Sequence, residues 1–206
     1  MKYSILYLLV LSQLCIACQH QSTQKATQIN SDSIVYFLDI AQSKIEFVST
    51  KGNSSVRAFA SLRDGQFLFK SGAFCTAHLS IDMNTLVCDG KDSAQKANGT
   101  TYLMDTARFA VAQFPLAQFE LVRADAISSP SIKEQLRQDC THFISGFLIV
   151  KGMRKPISFP AKLHLHQQAL TIDAYPEFDF ADWSITGIAD KGARTPLSIH
   201  LVAHKE

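Results

Sequence analysis

Charge is scarce in this chain. Only 18% of the 206 residues are charged, while 47% are hydrophobic. A globular domain usually has about a quarter of its residues charged. The composition excludes disorder along the whole chain. An excess of one sign is also missing: 20 Lys and Arg stand against 18 Asp and Glu, so no basic stripe points to nucleic acid. Cysteine is sparse, and from Cys18 onward it is never spaced C-x-x-C, which leaves a thioredoxin-type centre or a zinc knuckle in the folded part without support. Catalytic motifs of fixed spacing are lacking too: there is no G-x-S-x-G, H-E-x-x-H or glycine-rich phosphate loop, and no H-x-E followed by C-x-x-C. A Ser-His-Asp triad, whose members need not be close in sequence, stays open. Beyond residue 17 no apolar run reaches the ~20 residues that span a bilayer. What the chain has in quantity is Phe, with 14 residues against 5 Tyr and 1 Trp. Such a chain has a large apolar interior to fill or to offer to a ligand.

The N-terminus reads as a targeting segment. Met1-Lys2 gives a positive start, and an apolar run follows from Ile5 through Leu11 to Ala17. It is too short to span and reads as a secretory signal over residues 1–17. Leu14-Cys15-Ile16-Ala17-Cys18, followed by Gln19-His20-Gln21, resembles a bacterial lipoprotein signal. The resemblance implies cleavage after Ala17 and a lipidated Cys18, although Cys15 stands where that family usually has Leu. A plain signal peptide with Cys18 an ordinary thiol is the alternative. Residues 18–33, rich in Gln, Ser and Thr, read as a flexible tether, and residues 34–206 as one domain. The expected location is extracytoplasmic, anchored to a membrane and facing the periplasm or cell surface. Gln19 rather than Asp implies outer-membrane retention in a proteobacterial host. Three further cysteines, Cys75, Cys88 and Cys140, would then meet an oxidising compartment, and three thiols allow at most one internal bridge. A Cys75–Cys88 disulfide is one option. A buried free thiol is the other, because Cys75 falls on the apolar phase of its strand.

From Ile34 onward the dominant period is two. Cys75, Ala77, Leu79, Ile81 and Met83 alternate with Thr76, His78, Ser80 and Asp82, as in an antiparallel strand buried on one face. Ile157, Phe159, Ala161, Leu163 and Leu165 alternate with Ser158, Pro160, Lys162, His164 and His166. Leu197, Ile199 and Leu201 repeat the device. Turn signals at Lys51-Gly52-Asn53, Arg63-Asp64-Gly65, Lys70-Ser71-Gly72 and Lys151-Gly152 separate the runs. Strands are expected near 35–40, 43–50, 55–62, 66–70, 73–83, 117–124, 142–150, 155–166, 169–175 and 196–204. Many strands with one apolar face imply an all-β sandwich or barrel, and a barrel removes exposed edges. Residues 91–114 break the period and read as a helical or turn-rich lid over one end. Residues 126–139 read as a polar connection.

Several stretches resemble the YceI-like family of secreted isoprenoid-binding proteins. Ile81-Asp82-Met83-Asn84-Thr85-Leu86 is similar to its I-D-M-N-S-I strand end. Gly146-Phe147-Leu148-Ile149-Val150-Lys151-Gly152-Met153-Arg154-Lys155-Pro156-Ile157-Ser158-Phe159-Pro160 resembles its G-x-L-T-I-K-G-x-T-K-P-I-x-F-P hairpin. Ala117-Gln118-Phe119-Glu120 resembles its A-T-F-E strand, and Asp39 to Phe47 its opening D-x-x-x-S-x-I-x-F. Tyr102-Leu103 with Phe109 to Pro115 resembles its lid, except that Arg108 replaces the first Phe of an F-F pair and Ala110 an Asp. The stretch after Trp183 is compact beside many members. The resemblance spans about residues 34–204. It implies a lipocalin-like antiparallel β-barrel that is not an enzyme and needs no cofactor. A long isoprenoid amphiphile, a polyprenyl quinone or polyprenyl phosphate, would lie along the axis. A homodimer stays open.

On that reading Phe67, Phe69, Leu79, Ile81, Phe119, Phe147, Ile157, Phe159 and Leu163 are candidates to line an apolar tube. Leu103, Phe109 and Phe114 are candidates from the lid. An isoprenoid tail requires a dry tube without unpaired polar groups. The alternative is a core filled by side chains alone, as in an adhesion or scaffold barrel with an exposed apolar patch. A third reading is a metal-assisted enzyme at the barrel mouth. His164 and His166 share a strand face and Asp173 follows on the next strand, a donor set suited to zinc or copper; the plainer view is an exposed strand face, and His200 and His204 invite the same pair of readings. Arg108 and Lys91 are candidates to meet a head-group phosphate, or are solvated surface charges.

Overall fold

The computed structural model describes residues 33–131 and 139–206. The segment expected to be a signal (1–17), Cys18, the expected tether to residue 32 and part of the 126–139 connection lie outside the described residues. The elements are β1 Ser33–Leu38, β2 Lys44–Lys51, β3 Ser54–Lys70, β4 Ala73–Cys88, α1 Ser93–Met104, β5 Leu116–Ala126, β6 His142–Val150, β7 Met153–Leu165, β8 Ala169–Ala174, β9 Glu177–Phe178, a 3-10 turn Phe180–Trp183, and β10 Thr195–Lys205. Ser33, expected in the tether, already pairs with Lys70 of β3.

The hydrogen-bonded order is β1-β10-β2-β3-β4-β5-β6-β7-β8, and β8 closes back onto β10. β1 and β2 each pair with both β10 and β3. They lie in line and form one broken stave. The result is a closed antiparallel barrel of eight staves, with α1 the one complete α-helix among the described residues. We call the end carrying the β3–β4 and β7–β8 turns the upper end. The end carrying the β2–β3 and β6–β7 turns, with α1 beside them, is the lower end.

The break between β1 and β2 explains the opening motif. The Asp39 amide donates to the Val202 carbonyl at 2.8 Å. The Ser43 hydroxyl accepts from the Val202 amide at 2.9 Å and donates to its carbonyl at 3.2 Å. The Asp39 carboxylate holds the intervening turn through the Gln42 amide at 3.1 Å. Ile45 and Phe47 then resume on the inner face. At the other end of the motif series, Lys151 and Gly152 both take positive φ, 52° and 72°, as a two-residue hairpin turn requires. Pro156 and Pro160 stand opposite Phe147 and Phe143 of β6. Over this stretch β7 has no second strand partner among the described residues, since its pairing with β8 begins only at Ala161. Two missing N–H groups therefore cost no ladder bond.

Three bulges correct the sequence-based expectations. Arg63-Asp64-Gly65 is not a turn: β3 runs 17 residues through it, with a register shift between Leu62 and Asp64. A bulge bends a continuous strand where a turn would end it, and here the Gly65 backbone lets Leu79 and Leu38 approach. In β4, Leu68 pairs with Thr76 and Phe69 with Phe74. Cys75 is thus the unpaired extra residue and is exposed, while Phe74 takes the inner phase. The third irregularity is the Asp82–Leu86 bend. The Thr85 hydroxyl donates to the Asp82 carbonyl at 2.6 Å and accepts from the Ser61 amide at 2.7 Å, standing in for a backbone partner. Cys75 and Cys88 consequently lie at opposite ends of β4, and all three described thiols are free. Leu165, expected inside, is 46% exposed, because the strand ends there at the upper rim.

The lid segment is α1 and the loop after it. Asp92 caps the helix by accepting from the Gln95 amide at 2.8 Å. Leu103 is its one buried residue. Close approach is possible because Gly99 lies against Cys88: a Cβ there would sit 2.6 Å from Sγ.

Gly146 occupies an inner position of β6, where a Cβ would meet the Phe119 ring at 2.6 Å and the Glu120 carbonyl oxygen. Gly146→Ala is expected to lower unfolding free energy by roughly 2 kcal/mol or more, read by urea titration; an unchanged midpoint would contradict this close packing. At the upper rim, burial holds His142 below its ordinary value of 6.5. The unfolded chain therefore binds more protons once pH falls through that ordinary value, so stability present above it is lost as the solution is acidified further. His142→Gln should flatten that part of the pH–stability curve, and a curve identical to wild type would exclude His142 as the source.

Candidate ligand cavity

Alternation delivers apolar side chains to the interior from every stave. A cavity of about 80 Å³ lies on the axis, lined by Ile45 of β2, Phe67 of β3, Phe74, Ala77, Leu79 and Ile81 of β4, Phe119 and Leu121 of β5, and Ile144 and Leu148 of β6. Ile157 and Phe159 of β7, Ile172 and Ala174 of β8, Phe178 of β9, and Leu197, Ile199 and Leu201 of β10 complete the wall. No polar side chain contributes. Below it lies a second cavity of about 70 Å³, reaching Phe47, Met83, Leu86, Phe109, Val150 and Phe180. Ile45, Ile81, Leu148 and Leu197 line both and form the waist between them. Protein interiors hold few voids larger than a water, and apolar cavities of this order stay dry and accept apolar guests.

The ends are closed by aromatic clusters. At the lower end Phe47, Phe109 and Phe180 are in mutual contact, with ring centroids 5.4–5.8 Å apart. Trp183 seals the same end and donates from Nε1 to the Leu148 carbonyl at 3.3 Å. At the upper end Tyr36 meets Phe69 edge-on, and Phe74 stacks on Phe69 at 4.9 Å.

Six of the candidates from sequence stand on the upper wall: Phe67, Leu79, Ile81, Phe119, Ile157 and Phe159. Phe109 reaches the lower cavity. Phe69 and Leu163 are buried beside the wall without forming it. Leu103 lies under α1, facing a groove shared with Tyr102 and Gly187. Phe114 packs on the Gly152 backbone. Phe147 faces outward, because Gly146 and Leu148 hold the inner phase of β6. The Arg154 guanidinium lies 3.2 Å above its ring and also binds Glu120 at 2.9 Å. Sequence reasoning missed Phe74, hidden by the bulge. It also missed Phe47, Phe178 and Phe180, although Phe178 and Phe180 alternate with Asp179 in a readable period of two.

The polar candidates are dispersed. Arg108 is committed within the lid: it pairs with Asp105 at 3.3 Å and stacks on Tyr102 at 3.9 Å. Lys91 is exposed on the approach to α1. The His164 and His166 rings lie parallel, 6.3 Å apart. The Asp173 carboxylate is turned to β10, where His200 Nδ1 is 2.6 Å away. His204 Nε2 is 3.4 Å from Asp39. The expected His164, His166 and Asp173 set is therefore divided, and among the described residues no group of three or more His, Cys, Asp or Glu is arranged for a metal.

The YceI-like domain model matches residues 36–203. The chain belongs to that family. Among solved structures, BcnA of Burkholderia cenocepacia is 18% identical with a TM-score of 0.60, covering 81% of this chain and 99% of its own. A polyisoprenoid binding domain from Saccharophagus degradans, implicated in plant cell wall breakdown, is 14% identical with a TM-score of 0.57, covering 84% and 99%. The YCEI protein of Campylobacter jejuni is 12% identical with a TM-score of 0.51, covering 72% and 81%. At such identities the likeness is one of fold. No curated protein matches.

Phe109 tests the lower closure. Phe109→Ala removes a ring with 3% exposure and is expected to destabilise the barrel by about 3–5 kcal/mol, measured by chemical denaturation. A cost under 1 kcal/mol would mean that the ring is not packed as described.

Proposed function

We propose that this protein binds a long-chain isoprenoid amphiphile in its barrel and stores or carries it outside the cytoplasm, held at a membrane by lipid on Cys18. The observation that carries the reading is the axial cavity, to which all eight staves contribute and no polar side chain does. Each buried CH₂ contributes up to ~0.8 kcal/mol before ordering costs. A tail can thus bind firmly with no single indispensable contact. The cavities are slender, so a tail of several isoprene units occupies both by pushing apart the four aliphatic side chains of the waist. That the Saccharophagus degradans domain is described as polyisoprenoid binding supports the choice of ligand. A binding role is favoured over metal-assisted catalysis because Asp173 is engaged with His200 and not with His164 and His166. The two cavities disfavour a filled scaffold barrel.

Organic extraction of natively purified protein, followed by mass spectrometry, should release a polyprenyl species in near-stoichiometric amount. A barrel free of lipid after gentle purification would sink the proposal. The anchor has its own check: label from a palmitate analogue should appear on the wild type and vanish in Cys18→Ser. Label retained in that variant would refute the assignment to Cys18.

A further inference from the structure

Both ends of the axis are stoppered by aromatic clusters, but the side wall is not fully laddered. β4 and β5 pair over five positions, from Asp82–Leu116 to His78–Glu120. Above these, among the described residues, 73–77 of β4 pair only with β3 and 121–126 of β5 only with β6. Two strand edges run on towards the upper end with no hydrogen bonds between them. Each carries a bulge a few residues beyond the last β4–β5 pair, in the pairing with its other neighbour: Cys75 in β4, and Val122 in β5 between the Leu121–Gly146 and Arg123–Ser145 pairs. Bulges bend a strand and end its pairing. The cavity reaches this gap, since Phe74 and Ala77 on one edge and Leu121 on the other form part of its wall. Phe74 is only partly covered, and Val122 on the rim is 59% exposed.

We propose that the apolar tail of the ligand enters and leaves sideways, through the gap between β4 and β5, and that this gap faces the bilayer. The inference rests on the binding and anchoring readings above. Its orientation follows from the chain: β1 starts at Ser33, opposite Lys70 on β3. The segment carrying Cys18 therefore joins the barrel at the same end as the gap, about two strand spacings, or ~10 Å, to one side.

A cross-link across the gap tests this. In a Cys75→Ser background, Thr76→Cys and Val122→Cys, opposite by extension of the register, are joined by a short cleavable bis-maleimide. The matched control joins Ser145→Cys to Ser158→Cys on β6 and β7, a pair already bonded at 2.9 Å. The probe is all-trans-retinol, a fluorescent C20 isoprenoid, delivered from phosphatidylcholine vesicles and read by energy transfer from the single Trp183. The gap cross-link is expected to slow retinol exchange about tenfold or more, with recovery on cleavage, and the control to leave it unchanged. Retinol exchanging at the wild-type rate through a locked gap would overturn the side route and leave the binding reading standing; the alternative, passage at the lower end, would then show as faster exchange in Phe109→Ala. Retinol bound by none of the forms would overturn the binding reading and the side route together.

Discussion

An eight-stave barrel exists only if its first and last strands meet, and here that seam converges on one residue. Val202 of β10 would face an empty place where the first stave breaks between β1 and β2. The Ser43 hydroxyl and the Asp39 amide fill it, so Val202 keeps a partner on both its amide and its carbonyl. Buried or half-buried backbone groups cannot be left unpaired without cost. This bridge carries the ladder of β10 across the break between its pairs with β1 and its pairs with β2. Everything inside depends on closure: an open sheet would expose the Ile45, Leu197 and Leu148 faces to water and leave no axis along which a cavity could lie.

Closure also explains where the irregularities fall. A tightly coiled small barrel needs bends that regular ladders resist. The chain supplies them at Gly65, Cys75, Val122 and the Asp82–Leu86 bend, and uses small inner residues where aromatic rings must cross. Gly146 is one of these, with the Phe119 ring laid over its Cα. The family motifs are thus largely geometric. Asp39 and Ser43 bridge a break, Asp82 and Thr85 turn a corner, Lys151-Gly152 forms a tight hairpin, and Pro156 and Pro160 occupy a strand edge that has no second strand partner among the described residues. The same motifs also deliver cavity-lining side chains, among them Ile45, Phe47, Ile81, Met83, Leu86, Phe119, Leu148, Val150, Ile157 and Phe159.

This division sets what could be read from the sequence. The strands were legible because half-buried antiparallel strands impose a period of two, and β7 shows it without interruption from Ile157 to Leu163. One extra residue reverses every side chain beyond it. The bulge at Cys75 therefore exchanged that cysteine for Phe74 on the wall, and no local signal marked it. Phe147 misled for the opposite reason: its size suggested the interior, while the true inner residue beside it was a glycine whose space is filled from another strand. The Asp173–His200 contact depends on β8 pairing with β10, a long-range register that spacing along the chain does not encode.

The absence of polar groups on the cavity wall has a consequence for exchange. A tail moving from bilayer to barrel passes between two apolar surroundings, so the transfer itself supplies little driving force in either direction. A tail crossing water would expose its carbons at ~0.8 kcal/mol each, which for a C20 chain sums to roughly 16 kcal/mol. No barrel interior of this kind lowers that barrier, because it arises before the tail arrives. A route that keeps the tail in contact with apolar surface throughout does lower it, and the proposed gap at the end where β1 begins, with Val122 at its rim and Phe74 just inside, is placed to do so. On the proposed reading, anchoring at Cys18 acts on the rate at which the barrel fills more than on how tightly it holds. A barrel that neither outcompetes the bilayer nor yields to it is suited to carrying a lipid, because it can load and unload at membranes without a separate source of energy.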